Sequence, residues 1–549
     1  MSAFRAPFVV ALSCSLAALA HPSIADACGG FFCSSGGPQP LQAVEQTQER
    51  VLFQVNDDET ITATVEISYT GDPALFAWVV PVPDEPTLEL GSLDGIVALD
   101  QATQPTFVAP RTVCGTDTTG CRPSVAQTLL NGAEAMAQAA FAVPVALTGC
   151  AESGLVATPS AGLGGVGVDV VDLDRVGPFE PEVVSSDDPE LLINWLNSNE
   201  FLITEAMRPA IEGYVEAGMK FLAMKLAPDA EVGDIEPIRM TYPATTPMLP
   251  IVLTQVAAEP DMSIVVFIGA DQRYQAADWP NLVVDPADIW IDPTIVAGTN
   301  YSSMVSWMAD ELGGRAWITE FAGARPGATG VSELTDSPYI TRLFTRLSGW
   351  EMTDDPMFVP SDGHDIDNLR DLSLGAAQDI CDVMFGQGSA CGGVYCGEGA
   401  QCADMGGVPG CVCGEGQVAR AVLQRGLGQL VPKVVCTRTD FDMMEGMPDG
   451  LATPPDPCAN VSCGTGTCRA LNGFATCLCD EGTAATLGFG QGMTCQPFDG
   501  ELMGPEAMLP TWVDDGVNGL AEENVNTRFF MLLGLLVPVG ILRRRYARR

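Results

Sequence analysis

Nineteen cysteines against two histidines, in a chain of 549 residues, set the chemistry open to this protein. A Ser-His-Asp or Cys-His arrangement needs an imidazole as its base. His21 lies in an N-terminal stretch with the pattern of a removable export signal, which leaves His364, in Ser361-Asp362-Gly363-His364-Asp365-Ile366-Asp367. One loop histidine among aspartates reads as a solvated residue, and it cannot build an H-E-x-x-H zinc site. Asp362, Asp365 and Asp367 offer oxygens to calcium but lack the glycine and distal glutamate of an EF-hand loop, so the segment reads as an acidic turn. Gly162-Leu163-Gly164-Gly165-Val166-Gly167 fits G-x-G-x-x-G by letter. A dinucleotide site needs a strand before that run and a helix after it. Here Thr158-Pro159-Ser160 precedes and strand-like Val168-Asp169-Val170-Val171 follows, the pattern of a glycine-rich insertion. No P-loop, Ser-x-x-Lys, Asp-Thr-Gly or Asp-Ser-Gly motif occurs. No cofactor, metal or catalytic residue is therefore expected, and a non-enzymatic protein is the first reading. The remaining enzymatic resource is a pair of carboxylates of the glycosidase kind, which nothing in the pattern singles out.

The charge balance narrows the partners. Seventy acidic residues against 26 basic give a net charge of -44, and only Lys220, Lys225 and Lys433 are lysines. Such a chain repels polyanions, which excludes nucleic-acid binding through phosphate neutralisation. At 47% hydrophobic it is not disordered overall.

Both ends carry address signals. Arg5 precedes an apolar run from Phe8 to Ala20, and Ala25-Asp26-Ala27 supplies the small residues of a cleavage site, so residues 1–27 read as a signal peptide. Asp26 sits where a lipobox wants a small or apolar residue, which argues against acylation of Cys28. At the other end Phe529 to Leu542 is apolar and Arg543-Arg544-Arg545-Tyr546-Ala547-Arg548-Arg549 follows. Residues 528–549 therefore read as a short hydrophobic helix held in a membrane, with the arginines on the cytoplasmic side and the rest of the chain outside. The layout resembles the C-terminal sorting tails of Gram-negative bacteria, although no Gly-Gly, Pro-Glu-Pro or Gly-Cys precedes the helix.

Cys14 leaves with the signal, and the remaining cysteines number an even eighteen, which in an oxidising compartment favours complete pairing. Cys28, Cys33, Cys114, Cys121, Cys150 and Cys381 belong to the N-terminal part. Short loops favour Cys28–Cys33 and Cys114–Cys121, leaving Cys150–Cys381 by elimination. The other twelve form two sextets, Cys391, Cys396, Cys402, Cys411, Cys413, Cys436 and Cys458, Cys463, Cys468, Cys477, Cys479, Cys495. Their intervals of 4, 5, 8, 1, 22 and 4, 4, 8, 1, 15 residues share a C-x8-C-x-C core, an internal repeat. With Asn472-Gly473-Phe474-Ala475-Thr476-Cys477-Leu478-Cys479, the repeat resembles the EGF-like module. That resemblance implies pairing of the first cysteine with the third, the second with the fourth and the fifth with the sixth. So small a module cannot bury enough apolar surface to fold on a core alone, so cross-links must substitute. Zinc ligation is disfavoured by this spacing and by the lack of local histidine. Asp456-Pro457-Cys458 lacks the acidic residue that calcium-binding modules place before the first cysteine.

The large N-terminal part reads as α+β, a strand-rich domain with packed helices. Val51 to Val55 is followed by the turn Asn56-Asp57-Asp58-Glu59. Then Ile61, Ala63, Val65, Ile67 and Tyr69 alternate with polar residues, a hairpin with one face buried and one wet. Ala74–Val82, Met219–Leu226, Ile235–Tyr242, Met248–Val256 and Met262–Gly269 read as further strands. Asp188 and Pro189 open a helix through Leu196. Ser337-Pro338 opens another, burying Ile340, Leu343, Phe344 and Leu347 and turning Arg342 and Arg346 outward. Four segments resemble the bacterial family catalogued as domain of unknown function 2330 over roughly residues 27 to 385: Ala27-Cys28-Gly29-Gly30-Phe31-Phe32-Cys33, Glu49-Arg50-Val51-Leu52-Phe53, Trp78-Val79-Val80-Pro81-Val82-Pro83 and Tyr339–Leu347. The resemblance implies export and a shared fold, and transfers no site residue.

The expected organisation is thus a signal peptide at 1–27, an α+β domain at 28–385, EGF-like modules at 388–436 and 458–495, acidic spacers at 437–457 and 496–527, and the tail at 528–549. The expected role is binding or structural duty in the cell envelope. The C-terminal helix would contact the membrane, and a protein or a glycan would be the partner. The alternative is a carboxylate-dependent hydrolase of envelope or extracellular polysaccharide.

Overall fold

The computed structural model describes residues 45–70, 77–108, 167–201, 203–227, 236–289, 299–328, 330–372, 390–426, 429–442, 456–488, 492–500, 502–503 and 512–514. The signal segment 1–27, the six cysteines Cys28, Cys33, Cys114, Cys121, Cys150 and Cys381, most of the glycine-rich run and the tail 528–549 lie outside them. No helix among the described residues is long and apolar enough to cross a membrane.

The N-terminal part is rich in strands and has few helices. In chain order the strands are β1 (Glu45–Val55), β2 (Thr60–Thr70), β3 (Ala77–Val82), β4 (Thr87–Leu90), β5 (Thr106–Val108), β6 (Asp169–Asp172), β7 (Phe179–Ser185) and β8 (Lys220–Leu226). Then come β9 (Ile238–Pro243), β10 (Ala258–Ala270), β11 (Tyr274–Ala276), β12 (Asn281–Val284), β13 (Trp317–Ala324), β14 (Tyr339–Leu347), β15 (Phe358–Pro360) and β16 (Leu369–Asp371). The cysteine-rich region adds β17 (Gln401–Asp404), β18 (Pro409–Val412), β19 (Gln417–Gly426), β20 (Gln429–Arg438), β21 (Gly466–Leu471), β22 (Phe474–Cys479), β23 (Thr483–Gly488), β24 (Gly492–Pro497), β25 (Leu502–Met503) and β26 (Trp512–Asp514). The helices are α1 (Leu93–Thr103), α2 (Pro189–Ser198), α3 (Arg208–Glu216), α4 (Ile251–Thr254), α5 (Tyr301–Glu311) and α6 (Val331–Leu334).

A nine-stranded sheet in the order β26-β12-β13-β14-β10-β1-β2-β9-β4 organises the molecule. The hairpin β1–β2 forms as its alternation requires, with Val55 opposite Ile61, and β1 also pairs in parallel with β10. Successive side chains point to opposite faces of the sheet. Val51, Phe53, Ile61, Ala63, Val65, Ile264, Val266 and Leu343 pack into one core. That core is shared with the four-stranded sheet β3-β8-β7-β6 and with helices α2 and α3. Leu52, Val265, Phe267, Ile340 and Phe344 face the other way, into a second core closed by α1, α5, α6 and the cysteine-rich region.

Helix α2 forms as its sequence requires. The Asp188 carboxylate accepts from the backbone N–H groups of Glu190 and Leu191, and Pro189 takes the first turn. The segments Met219–Leu226, Ile235–Tyr242 and Met262–Gly269 appear as β8, β9 and β10.

Three expectations are corrected. The face of β2 carrying Thr62, Thr64 and Glu66 is not wet: these residues are 5%, 0% and 9% exposed, because the second core covers them. Residues 339–347 form the central strand β14, not a helix. Arginines four residues apart share a face in a helix and in a strand alike, and the Tyr, Ile, Phe and two Thr of this segment favour the strand. Arg342 and Arg346 consequently point into the second core, each 5% exposed, rather than outward. In Met248–Val256 a strand was expected, but residues Ile251–Thr254 make the single helical turn α4. A short apolar run is ambiguous between the two, and Pro250 withholds the N–H that a strand ladder would use.

The cysteine-rich region also departs from two beads on acidic spacers. Strands of the two sextets share sheets, in the orders β24-β23-β18-β17-β25 and β20-β19-β22-β21. Cys411 pairs across to Ala485, and Ala419 to Cys477. The region expected as the first spacer begins inside β20, and the second contributes β25 and the sheet-edge strand β26, which pairs with β12.

Because Phe267 is fully buried between the central sheet and its second cover, Phe267→Ala should destabilise the purified protein by about 3–5 kcal/mol in urea unfolding. A loss below about 1 kcal/mol would show that this face is not the packed core described here.

Candidate functional site

Twelve cysteines are brought together as six disulfides: Cys391–Cys402, Cys396–Cys411 and Cys413–Cys436 in the first sextet, and Cys458–Cys468, Cys463–Cys477 and Cys479–Cys495 in the second. Both follow the order first–third, second–fourth, fifth–sixth. Their sulfurs join the second core of the large domain, where Cys391, Cys396 and Tyr395 pack in one cluster with Trp307, Phe267 and Phe344.

Charged groups buried on this face of the central sheet come in two sets. In the first, the Arg50 guanidinium donates to Glu66 at 2.7 Å and to Asp100 at 3.3 Å. Arg342 donates to Asp100 and Glu320 and lies over the Phe267 ring at 5.2 Å. Asp100 comes from α1, which the Ser92 hydroxyl caps by accepting from the Gly95 N–H. Burial acts to raise the Asp100 pKa, but Arg342 and Arg50 outweigh it and hold it below the usual carboxylate value.

In the second set Asp261 is the hub. Its carboxylate accepts from Arg346 Nη2 at 2.8 Å, Arg346 Nε at 3.0 Å, Ser306 Oγ at 2.6 Å and Lys433 Nζ at 2.6 Å. Asp261 holds φ +62, a left-handed conformation that this ligation over-determines. Burial pulls the Lys433 pKa down and Asp261 offsets part of that. Burial would raise Asp261, but Arg346 and Lys433 keep it low. Lys433 stands on β20, so this ion pair joins the cysteine-rich region to the sheet.

Around the hub the join is completed by other side chains. Tyr395 donates its hydroxyl to both oxygens of Asp310 at 3.0 and 2.9 Å and meets the Trp307 ring edge-on at 6.4 Å. Ser303 Oγ donates to the Gly393 carbonyl at 2.7 Å, and Trp350 Nε1 donates to Glu398 at 3.1 Å. Burial and the neighbouring Glu351 push Asp310 well up, and burial likewise raises Glu351, so this pair of carboxyls retains a proton. At Gly349 a Cβ would stand 2.6 Å from the Gln255 carbonyl oxygen and 2.9 Å from the Phe441 ring, so only glycine permits this approach.

The first core holds a cavity of about 140 Å³ between β1, β2 and β9 on one side and β3 and residues 244–254 on the other. Val51, Phe53, Ala63, Val65, Trp78 and Met240 give it an apolar wall. Two polar side chains of β1, Gln46 and Glu49, also line it, 1% and 6% exposed. Gln46 Nε2 donates to Glu49 Oε2 at 2.9 Å, while Gln46 Oε1 has no partner. Burial raises Glu49 to about 7; the Gln46 hydrogen bond lowers it and Glu66 raises it further. Glu49 is the one carboxylate in the wall, so the cavity lacks the second that glycoside hydrolysis requires.

The residues weighed from the sequence for catalysis lie elsewhere. His364, Asp362, Asp365 and Asp367 are exposed. Asp365 accepts from the Tyr339 hydroxyl at 2.7 Å, and Asp367 accepts from the Leu369 N–H at 2.9 Å. No grouping of three or more His, Cys, Asp or Glu suited to a metal occurs among the described residues. The strand-like residues after the glycine-rich run form β6. Asp261, Arg346, Lys433, Gln46 and Glu49 were not singled out as a site. The available signal is Glu49 and Arg50 directly before the apolar run Val51-Leu52-Phe53, and a lysine in a chain with only three.

The class defined by these features is a strand-rich domain carrying an integrated, disulfide-braced C-terminal region. The model of the bacterial family described as an uncharacterized protein conserved in bacteria, domain of unknown function 2330, matches residues 22–358, and the chain belongs to that family. No curated protein and no solved structure matches it.

Two outcomes follow from the buried charges. Asp261→Asn removes the anion that Arg346 and Lys433 share and should cost about 3–5 kcal/mol in denaturant unfolding, with the cysteine-rich region becoming sensitive to protease. A change within about 0.5 kcal/mol would remove the hub from the account. Glu49 has a folded pKa of about 7 against 4.5. Its favourable contribution is therefore complete below pH 4.5 and lost as pH rises through about 7. Glu49→Gln should gain stability relative to the native protein by roughly 3 kcal/mol between pH 5 and pH 9. Parallel stability–pH curves for the two proteins would place Glu49 in water.

Proposed function

We propose that the protein is exported, held at the cell envelope, and acts by binding rather than catalysis. In this reading residues 1–27 direct export and are removed, and residues 528–549 form the apolar helix and basic cluster of a membrane anchor or sorting tail. The two sextets are EGF-like modules, a reading supported by the pairing order of their six disulfides. Those bridges are the observation that carries the proposal, because such cross-links form and persist outside the reducing cytosol.

Binding is favoured over hydrolysis by the cavity beneath β1, whose wall is largely apolar and holds a single carboxylate. The net charge of -44 turns away nucleic acid and leaves a protein or a glycan as the outward partner. The modules dock on the domain through Lys433 and Tyr395, which makes them part of one stiff surface rather than a tether.

Cell fractionation of the full chain and of a chain ending at Thr527 tests the address. The full chain should sediment with membranes, the shortened one should be released outside the inner membrane, and both should resist thiol alkylation until reduced. Recovery of either from the cytosol with alkylatable thiols would overturn the proposal. So would glycan turnover by the purified protein that a single carboxylate substitution abolishes.

A further inference from the structure

The cavity beneath β1 has an architecture that packing alone does not explain. Protein interiors are filled nearly to the density of organic crystals, and a void of this kind forfeits contacts along its whole wall. At about 140 Å³ it is close to the size of an engineered apolar cavity that takes up benzene. Its lining residues Pro83 and Thr246 are exposed, which places a mouth on that side. The Glu49 carboxyl and the Gln46 amide line the same chamber, both buried, and the Gln46 amide oxygen has no donor. A buried acceptor left unmatched is costly, and so is a carboxylate without a cation.

We propose that this cavity binds a small primary amine with an apolar body about the size of a benzene ring, the ammonium donating to the Glu49 carboxylate and to Gln46 Oε1. An ammonium carries three donors and no acceptor, so it supplies what both groups lack. A carboxylate ligand would face Glu49 and a molecule of net charge -44. A neutral alcohol could reach Gln46 but would leave the carboxylate without a counter-charge.

The charge logic makes binding depend on pH. Among the described residues the one group that contacts Glu49 is Gln46 on its own strand; Glu66 on β2 points to the other face of the sheet, where Arg50 holds it, and acts on Glu49 only as a nearby negative charge. The cavity walls contributed by β3, Met219 and residues 244–254 hold no charged residue, and Tyr242 on β9 is kept protonated by burial. An ammonium therefore competes with the proton on Glu49, and its affinity should rise as pH climbs from 5 to 8 while that of the alcohol stays level.

This inference deepens the binding role proposed above and rests on it. The test is calorimetric titration of the full, oxidised protein with benzylamine, benzyl alcohol and benzoate in about 0.15 M salt, where diffuse attraction to the acidic surface is screened. At pH 8 benzylamine should bind at least about tenfold tighter than benzyl alcohol, and benzoate should not bind. Its affinity should fall about tenfold at pH 5, and Glu49→Gln should reduce amine affinity to that of the alcohol. Ala63→Leu, which fills the chamber without touching Glu49, should weaken amine and alcohol alike. The pH series on the native protein stands even if a variant fails to fold. Equal affinities for amine and alcohol at every pH, no binding of any probe, or benzylamine binding that survives Glu49→Gln would overturn the inference. Those results would leave the fractionation outcome, and with it the envelope reading, untouched.

Discussion

The structure depends on how one face of the central sheet accommodates buried guanidinium groups. Arg50 from β1 and Arg342 and Arg346 from β14, the two strands that flank β10, all project into a face that is closed to water. An arginine in such a place is tolerated only when carboxylates neutralise it and its donors are used. The carboxylates that do so decide what covers the face. Asp100 brings α1 down onto Arg50 and Arg342, and Asp261 holds Arg346 on one side while accepting Lys433 from the cysteine-rich region on the other. The docking of that region is thus part of how the sheet satisfies its own charges.

The opposite face follows a different rule. Apart from Gln46 and Glu49, the cavity wall on that side is apolar or presents hydroxyls, and the four-stranded sheet and two helices close over it. Glu49 therefore lacks the paired cation that keeps Asp100 and Asp261 ionised, and it behaves in the opposite sense, tending to hold its proton. The two faces make the molecule sensitive to pH from both sides. Protonation of Asp261 on the acid side breaks an ion pair, and ionisation of Glu49 on the alkaline side leaves a charge in an apolar chamber.

Much of the fold was legible in the sequence, and the reasons for the rest are specific. The pairing of β1 with β2 and the capped helix at Asp188-Pro189 rest on local rules and form as read, and the two cysteine sextets pair in the order that the resemblance to the EGF-like module implied. What local rules missed was the covering of the second face. Thr62, Thr64 and Glu66 look like a wet edge until a partner packs on them. The two arginines of Tyr339–Leu347 suggested an outward helical face because charge normally avoids the interior, whereas their anions come from Asp100 and Asp261, far away in sequence. The cavity was illegible for the same reason, since its apolar wall joins β1, β2, β3 and β9, and alternation reports that a face is buried without reporting that it is underfilled. The acidic stretches read as spacers carried little pattern of their own, and their strands β25 and β26 exist through pairing with distant partners.

The central claim is that the large domain and the cysteine-rich region form one body joined through Asp261. Native-state hydrogen exchange on the oxidised protein measures this directly, by comparing the opening free energies of β10, which carries Asp261, and β20, which carries Lys433. The account predicts that the two strands open together, with the same free energy and the same dependence on denaturant. Opening of β20 at a free energy several kcal/mol below that of β10 would show a separate module resting on the domain, and would contradict it.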